Sequence, residues 1–119
     1  MQIVKSVQKK VCEDGAIWNE FTFDAPITSD LIDILSAIGV HEVALDIGSG
    51  FFKIYIEDCF LIRGFLDDYT LEMRFLPCFI DIVESFMRDL LSWFKSGGTD
   101  YAMMKRRAEE MREKIKEHQ

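Results

Sequence analysis

The sequence predicts an α+β fold: an antiparallel β-meander of four to six strands, with helices packed on one face and a separable C-terminal helix. Three observations carry this reading. Between Val43 and Phe75 apolar and polar residues alternate, the period-two pattern of strands with one face on a core and one in water. From about Cys78 to Ser96 apolar residues recur at helical spacing on more than one side of the cylinder, beyond what a single packed face requires. After Gly97-Gly98 a strongly charged segment carries a second apolar seam.

The elements follow in order. Residues 2–12 place Ile3, Val4, Val7 and Val11 at helical spacing, but the segment is β-branched and runs into the turn signal Glu13-Asp14-Gly15, so a strand is preferred. Ile17, Phe21 and Phe23 alternate after it, which makes 2–12 and 16–23 a hairpin. Pro26-Ile27-Thr28 stops the second strand, and Thr28 or Ser29 can cap a helix whose apolar face is Leu31, Ile34, Leu35 and Ile38. Gly39 suits the left-handed position beyond its last turn.

Within the meander, keeping all core residues on one face suggests a register for each hairpin. Ile47 is expected opposite Phe52, Leu45 opposite Ile54 and Val43 opposite Ile56, with Gly48-Ser49-Gly50-Phe51 as the loop. Ile56 then faces Ile62 around Asp58, Cys59 and Phe60. Ile62 faces Met73 and Leu66 faces Tyr69, leaving Asp67-Asp68 as a two-residue turn. On the solvent face these registers set Asp46 beside Lys53, Tyr55 beside Arg63, and Arg63 beside Glu72.

Pro77 ends the last strand and opens the way to the second helix. Ile80, Val83, Met87, Leu90 and Phe94 form a stripe that should cover the sheet, and Ile82, Phe86 and Trp93 form another. The second stripe must meet the first helix, the last helix or another subunit. The last helix, capped by Thr99 or Asp100, carries Tyr101, Met104, Ala108, Met111 and Ile115 at alternating spacings of three and four. That seam spans little more than two heptads, fewer than an independent coiled coil needs.

Composition bounds the class. A chain of 119 residues that is 49% hydrophobic suits one packed domain, read as residues 1–98 with the amphipathic helix of 99–119 attached. No apolar run reaches the roughly 18–20 residues of a membrane helix, and no secretory pattern opens the chain. Cys12, Cys59 and Cys78 lack CxxC spacing, which points to free thiols in a reducing, cytoplasmic setting. Net charge is −7, and between residues 11 and 94 only Lys53, Arg63, Arg74 and Arg88 are basic. Such an acidic body speaks against nucleic acid as a partner, and the expectation extends to no membrane partner.

The strings that suggest chemistry are few. Val43-Ala44-Leu45-Asp46-Ile47-Gly48-Ser49-Gly50 resembles the first motif of class I methyltransferases, which would imply strand, loop and helix around S-adenosylmethionine. Here the residues after Gly50 alternate as a strand and the third glycine is missing, so a hairpin loop is the better account and no cofactor is expected. His41 and His118 stand alone, without H-x₃-H or HExxH spacing, and no metal is expected. No G-x-S-x-G elbow is present, and no catalytic residue is assigned. Cys78, at a helix start, is a thiol whose reactivity merits testing. Lys105-Arg106-Arg107 beside Glu109, Glu110 and Glu113 reads as a solvated helix face.

The sequence therefore favours a non-enzymatic interaction module that forms a homodimer or binds a protein partner through its helical layer, with Phe86, Trp93, Tyr101, Met104, Met111 and Ile115 as its contacts. The alternative is a small-molecule-binding protein or enzyme with an apolar pocket between sheet and helices. Gly64, on the core face between bulky neighbours, marks that pocket, lined by Phe52, Gly64, Met73 and Met87; otherwise a helix packs closely there.

Overall fold

A computed structural model describes residues 1–38, 42–46, 50–56, 60–97 and 101–117, with the backbone alone for Ile38, 42–46, Ile56 and Tyr101. The chain forms β1 (Ile3–Val11), β2 (Ile17–Phe23), α1 (Ser29–Ile38), β3 (Glu42–Asp46), β4 (Phe51–Ile56), β5 (Phe60–Phe65), β6 (Thr70–Phe75), α2 (Ile80–Lys95) and α3 (Tyr101–Glu117), with a 3₁₀ turn at Pro77–Phe79. The strands make one six-stranded sheet in the order β1-β2-β6-β5-β4-β3, and every neighbouring pair is antiparallel. The fold is thus the expected α+β one: a hairpin joined to a four-strand meander through β2 and β6.

Alternation decides which face is covered. On β2, Ile17, Asn19, Phe21 and Phe23 are buried while Trp18, Glu20 and Thr22 are half-buried. On β6, Leu71, Met73 and Phe75 are buried in the same way. These residues lie directly across from one another, Ile17 against Phe75 and Phe21 against Leu71. Phe52, Ile54, Phe60 and Ile62 continue the buried face across β4 and β5. Each large side chain removed from water contributes about 1.5–3 kcal/mol, so this face holds the sheet to whatever covers it.

All three helices supply the cover. Leu31, Ile34 and Leu35 of α1 are buried, as are Val83, Phe86, Met87, Leu90 and Leu91 of α2 and Met104, Ala108, Met111 and Ile115 of α3, in one continuous core. Thr28 caps α1: its Oγ1 accepts the Leu31 N–H at 3.3 Å, satisfying one of the donors a helix start leaves open. Gly97, at φ +81°, ends α2, as glycine does where a left-handed residue must follow a helix. The expected left-handed role of Gly39 and the cap at Thr99 or Asp100 lie outside the described residues.

Two of the three meander registers differ from expectation, each by two residues. Val43 pairs with Ile54, Leu45 with Phe52 and Asp46 with Phe51, so Ala44, not Asp46, lies opposite Lys53. Ile54 pairs with Ile62 and Ile56 with Phe60, so Arg63 faces Lys53 and Tyr55 faces Leu61. A shift of two keeps every residue on its face; the connecting residues 47–49 and 57–59 lie outside the described residues. The third register is as expected, with Ile62 opposite Met73 and Arg63 opposite Glu72. Its ladder ends earlier, however: Leu66 and Tyr69 fall in the connection and are exposed. The Asp68 N–H closes that turn on the Phe65 carbonyl at 3.2 Å, and Asp67 takes φ +69°.

The turn is then strapped to the start of α1. Ile27 N–H donates to the Asp68 carbonyl at 2.8 Å, and Asp67 N–H donates to the Ile27 carbonyl at 2.9 Å. At the edge, β1 carries Lys5, Lys9 and Lys10 and two register shifts, features that discourage further strands from adding there.

Candidate functional site: the helical groove and the open sheet face

The residues expected to form an interface lie largely inside the molecule. Met104, Met111 and Ile115 are buried, and Phe86 is 6% exposed; Trp93 is half-buried against the core. Tyr101 opens α3, and its side chain lies outside the described residues. The two stripes of α2 are thus divided between partners in the same chain. Val83, Met87 and Leu90 are buried in the core, while α3 lies along Phe86, with Met111 beside it. Arg107 of α3 donates to Asp89 Oδ2 of α2 at 3.1 Å.

A groove of about 560 Å³ lies open between α2 and α3. Its floor is Ile82, Phe86, Met103 and Met111. The α2 wall contributes Asp81 and Asp89 and no base; the α3 wall contributes Arg106, Arg107 and Lys114 against Glu110. The groove thus sets an apolar floor between an acidic wall and a wall with a basic excess.

The residues expected to line a pocket are packed instead. Phe52, Met73 and Met87 are each 0% exposed. Gly64 lies directly across from Phe52, and a Cβ placed on it would stand 3.0 Å from the ring's Cζ. The missing side chain of Gly64 is therefore replaced by the Phe52 ring from the neighbouring strand, rather than by a helix or a void.

The opposite face of the sheet has no helix over it among the described residues, and it carries features that local patterns did not reveal. Three of the four bases between residues 11 and 94, Lys53, Arg63 and Arg74, stand there. Lys5 and Lys10 occupy register positions on the same face, opposite Thr22 and Trp18. Arg63 lays its guanidinium over the Trp18 ring, 3.6 Å from the centroid, an attraction of charge to ring quadrupole. Glu72 holds the same guanidinium, with Arg63 Nε 3.4 Å from Oε1. Phe51 and Phe65 meet edge to face at 5.4 Å. Phe65 remains 46% exposed and Tyr55 40%. The cluster forms only where β2 joins β6, a long-range pairing that no local pattern encodes.

Cys12 and Cys78 are free thiols, half-buried and exposed respectively; Cys59, His41 and His118 lie outside the described residues. Among the described residues no three His, Cys, Asp or Glu side chains converge as metal ligands would. No described helix is long and apolar enough to cross a membrane. In comparisons of the chain with protein-family models, curated proteins and solved structures, nothing matches.

Proposed function

We propose that the protein is a non-enzymatic interaction module that pairs with a second copy of itself through the α2–α3 groove. The observation that supports this reading is the division of charge across the groove: acids on the α2 wall, a basic excess on the α3 wall, and an apolar floor between them. A two-fold axis running along the groove lays α2 of one copy on α3 of the other. Each acidic wall then meets a basic one, and the two floors meet in the middle. Isologous contacts of this kind are the commonest route to closed oligomers.

The helical contacts expected from sequence change role in this arrangement. Met104 and Ile115 hold α3 to its own chain, and Phe86 and Met111 also reach the groove floor. Because α3 returns alongside α2 with Arg107 on Asp89, Asp81 and Lys114 fall at the far end of the groove, where the copies exchange them.

Charge swapping tests the proposal by sedimentation equilibrium at tens of micromolar. Asp81→Lys alone and Lys114→Glu alone should each shift the mass toward monomer. An equimolar mixture of the two variants should restore the dimer, because every exchanged pair is again opposite in sign. Raising salt to about 1 M should weaken the wild-type dimer, since screening then acts within about 3 Å. A wild-type monomer, or a dimer indifferent to both substitutions, rejects the groove as the interface.

A further inference from the structure

We propose that the hollow between α2 and the chain segment leading into β1 binds the phosphoryl group of a phosphate monoester. It shares no lining residue with the α2–α3 groove, so the inference stands apart from self-association.

The helix supplies the donors. Arg88, Ser92 and Lys95 stand at i, i+4 and i+7 of α2, spacings that set side chains on one face. All three line a hollow of about 300 Å³ that Gln2 and Ile3 border from the other side. Leu91, 2% exposed, joins Ile3 as its apolar part.

The lining holds two bases and no acid, in a chain of net charge −7. Neither base has an ion-pair partner among the described residues, and the Ser92 hydroxyl has no hydrogen-bond partner there. Glu84 precedes Arg88 by four residues, the favoured spacing for a helical ion pair, yet makes none with it. Asp89 is bonded to Arg107 of α3, and Asp24 accepts the Gln2 N–H at 2.8 Å without lining the hollow. A base in the last turn, such as Lys95, offsets the negative end of the helix dipole. That field fades within one turn, so it does not account for Arg88, seven residues earlier.

The donor set selects the ligand. A guanidinium fork grips two oxygens of an oxyanion at once, an ammonium adds a point charge, and a hydroxyl gives one more bond. A phosphate monoester offers three acceptor oxygens and a charge of about −1.5 to −2 at pH 7, which matches two bases. A carboxylate, with two oxygens and one charge, leaves a base unmatched. The carbon part of the ester then rests on Leu91 and Ile3. A nucleic-acid backbone is a poorer match, because two bases release too few counterions to hold it.

The test is an NMR titration of the full chain with phenyl phosphate at fixed ionic strength. Saturable amide shifts should centre on residues 2–3 and 88–95, with a Kd of about 1 mM or tighter. Benzoate, which keeps the ring and exchanges the phosphate for a carboxylate, should bind about fivefold more weakly. Arg88→Gln and Lys95→Gln, both at exposed positions, should each weaken phenyl phosphate by about fivefold and leave distant amide signals in place. The proposal is overturned if phenyl phosphate gives no saturable shifts, if the shifts centre elsewhere, if benzoate binds as tightly, or if Arg88→Gln binds unchanged. Once phenyl phosphate binds as expected, co-sedimentation with phosphatidic acid vesicles separates the two sources of such a group. Vesicle binding that Arg88→Gln abolishes assigns the site to a lipid headgroup, and absence of vesicle binding assigns it to a soluble ester.

Discussion

Gly64 lies opposite Phe52, whose ring stands 3.0 Å from where a Cβ would be. Adding even one methyl group to a packed interior displaces neighbours at a cost of about 1–3 kcal/mol. Gly64→Ala should therefore lower the urea-derived stability by about that much. In a Phe52→Leu background, where the ring is gone, the same substitution should cost less, and a double-mutant cycle measures the difference. A second residue-scale expectation concerns Asp14 in the first turn. Arg74 bonds its carboxylate, and the Ala16 N–H donates to it at 3.1 Å. These contacts, the Arg74 bond foremost, hold the carboxyl below its ordinary range. Since the folded value lies under the unfolded one, the stabilisation is complete above the unfolded value of about 3.9. It is lost as pH falls through the folded value. An NMR titration should place the Asp14 midpoint below the usual carboxylate range, and Arg74→Ala should raise it.

At the scale of elements, α3 is held by one side only. Met104, Ala108, Met111 and Ile115 are buried while Lys105, Arg106, Glu109 and Glu110 are exposed. Met111→Ala or Ile115→Ala should cost about 2–5 kcal/mol, the range for deleting a large buried side chain. Lys105→Ala should stay within about 0.5 kcal/mol; thermal unfolding of the three variants compares them directly. The seam spacing made that sidedness legible in advance, as the alternation made the strand faces legible. Register was less so. Moving Leu45 from Ile54 to Phe52 changes no residue's face, so burial cannot distinguish the two pairings. The β5–β6 register joins the apolar signal to a charge pair, Arg63 opposite Glu72, but the same kind of signal, Asp46 beside Lys53, pointed to the wrong β3–β4 pairing. The groove was half visible, in the surplus stripe of α2. The open-face cluster was not visible, because Trp18 and Arg63 are brought together only when the hairpin joins the meander.

For the whole molecule, the question is whether sheet and helices form one cooperative unit. The radius of gyration is 13.5 Å, the value expected of a single compact domain of this length. The buried residues of β2, β4, β5, β6 and all three helices belong to one cluster. Two tryptophans report on the two layers: Trp18 lies on the open sheet face under Arg63, and Trp93 packs against the core from α2. Trp18→Phe and Trp93→Phe each leave a single fluorophore, one per layer. If the layers unfold together, each variant's urea transition by fluorescence should coincide in midpoint and slope with its transition by far-UV circular dichroism, the accepted sign of two-state behaviour. Removing residues 99–119 should lower the midpoint in both variants, because it uncovers the face of α2 that bears Phe86 and withdraws Met104, Met111 and Ile115 from the shared core. If the Trp18 transition stayed in place while the Trp93 transition moved, the sheet would be stable without the last helix. The boundary near residue 98 would then separate two folding units rather than two elements of one.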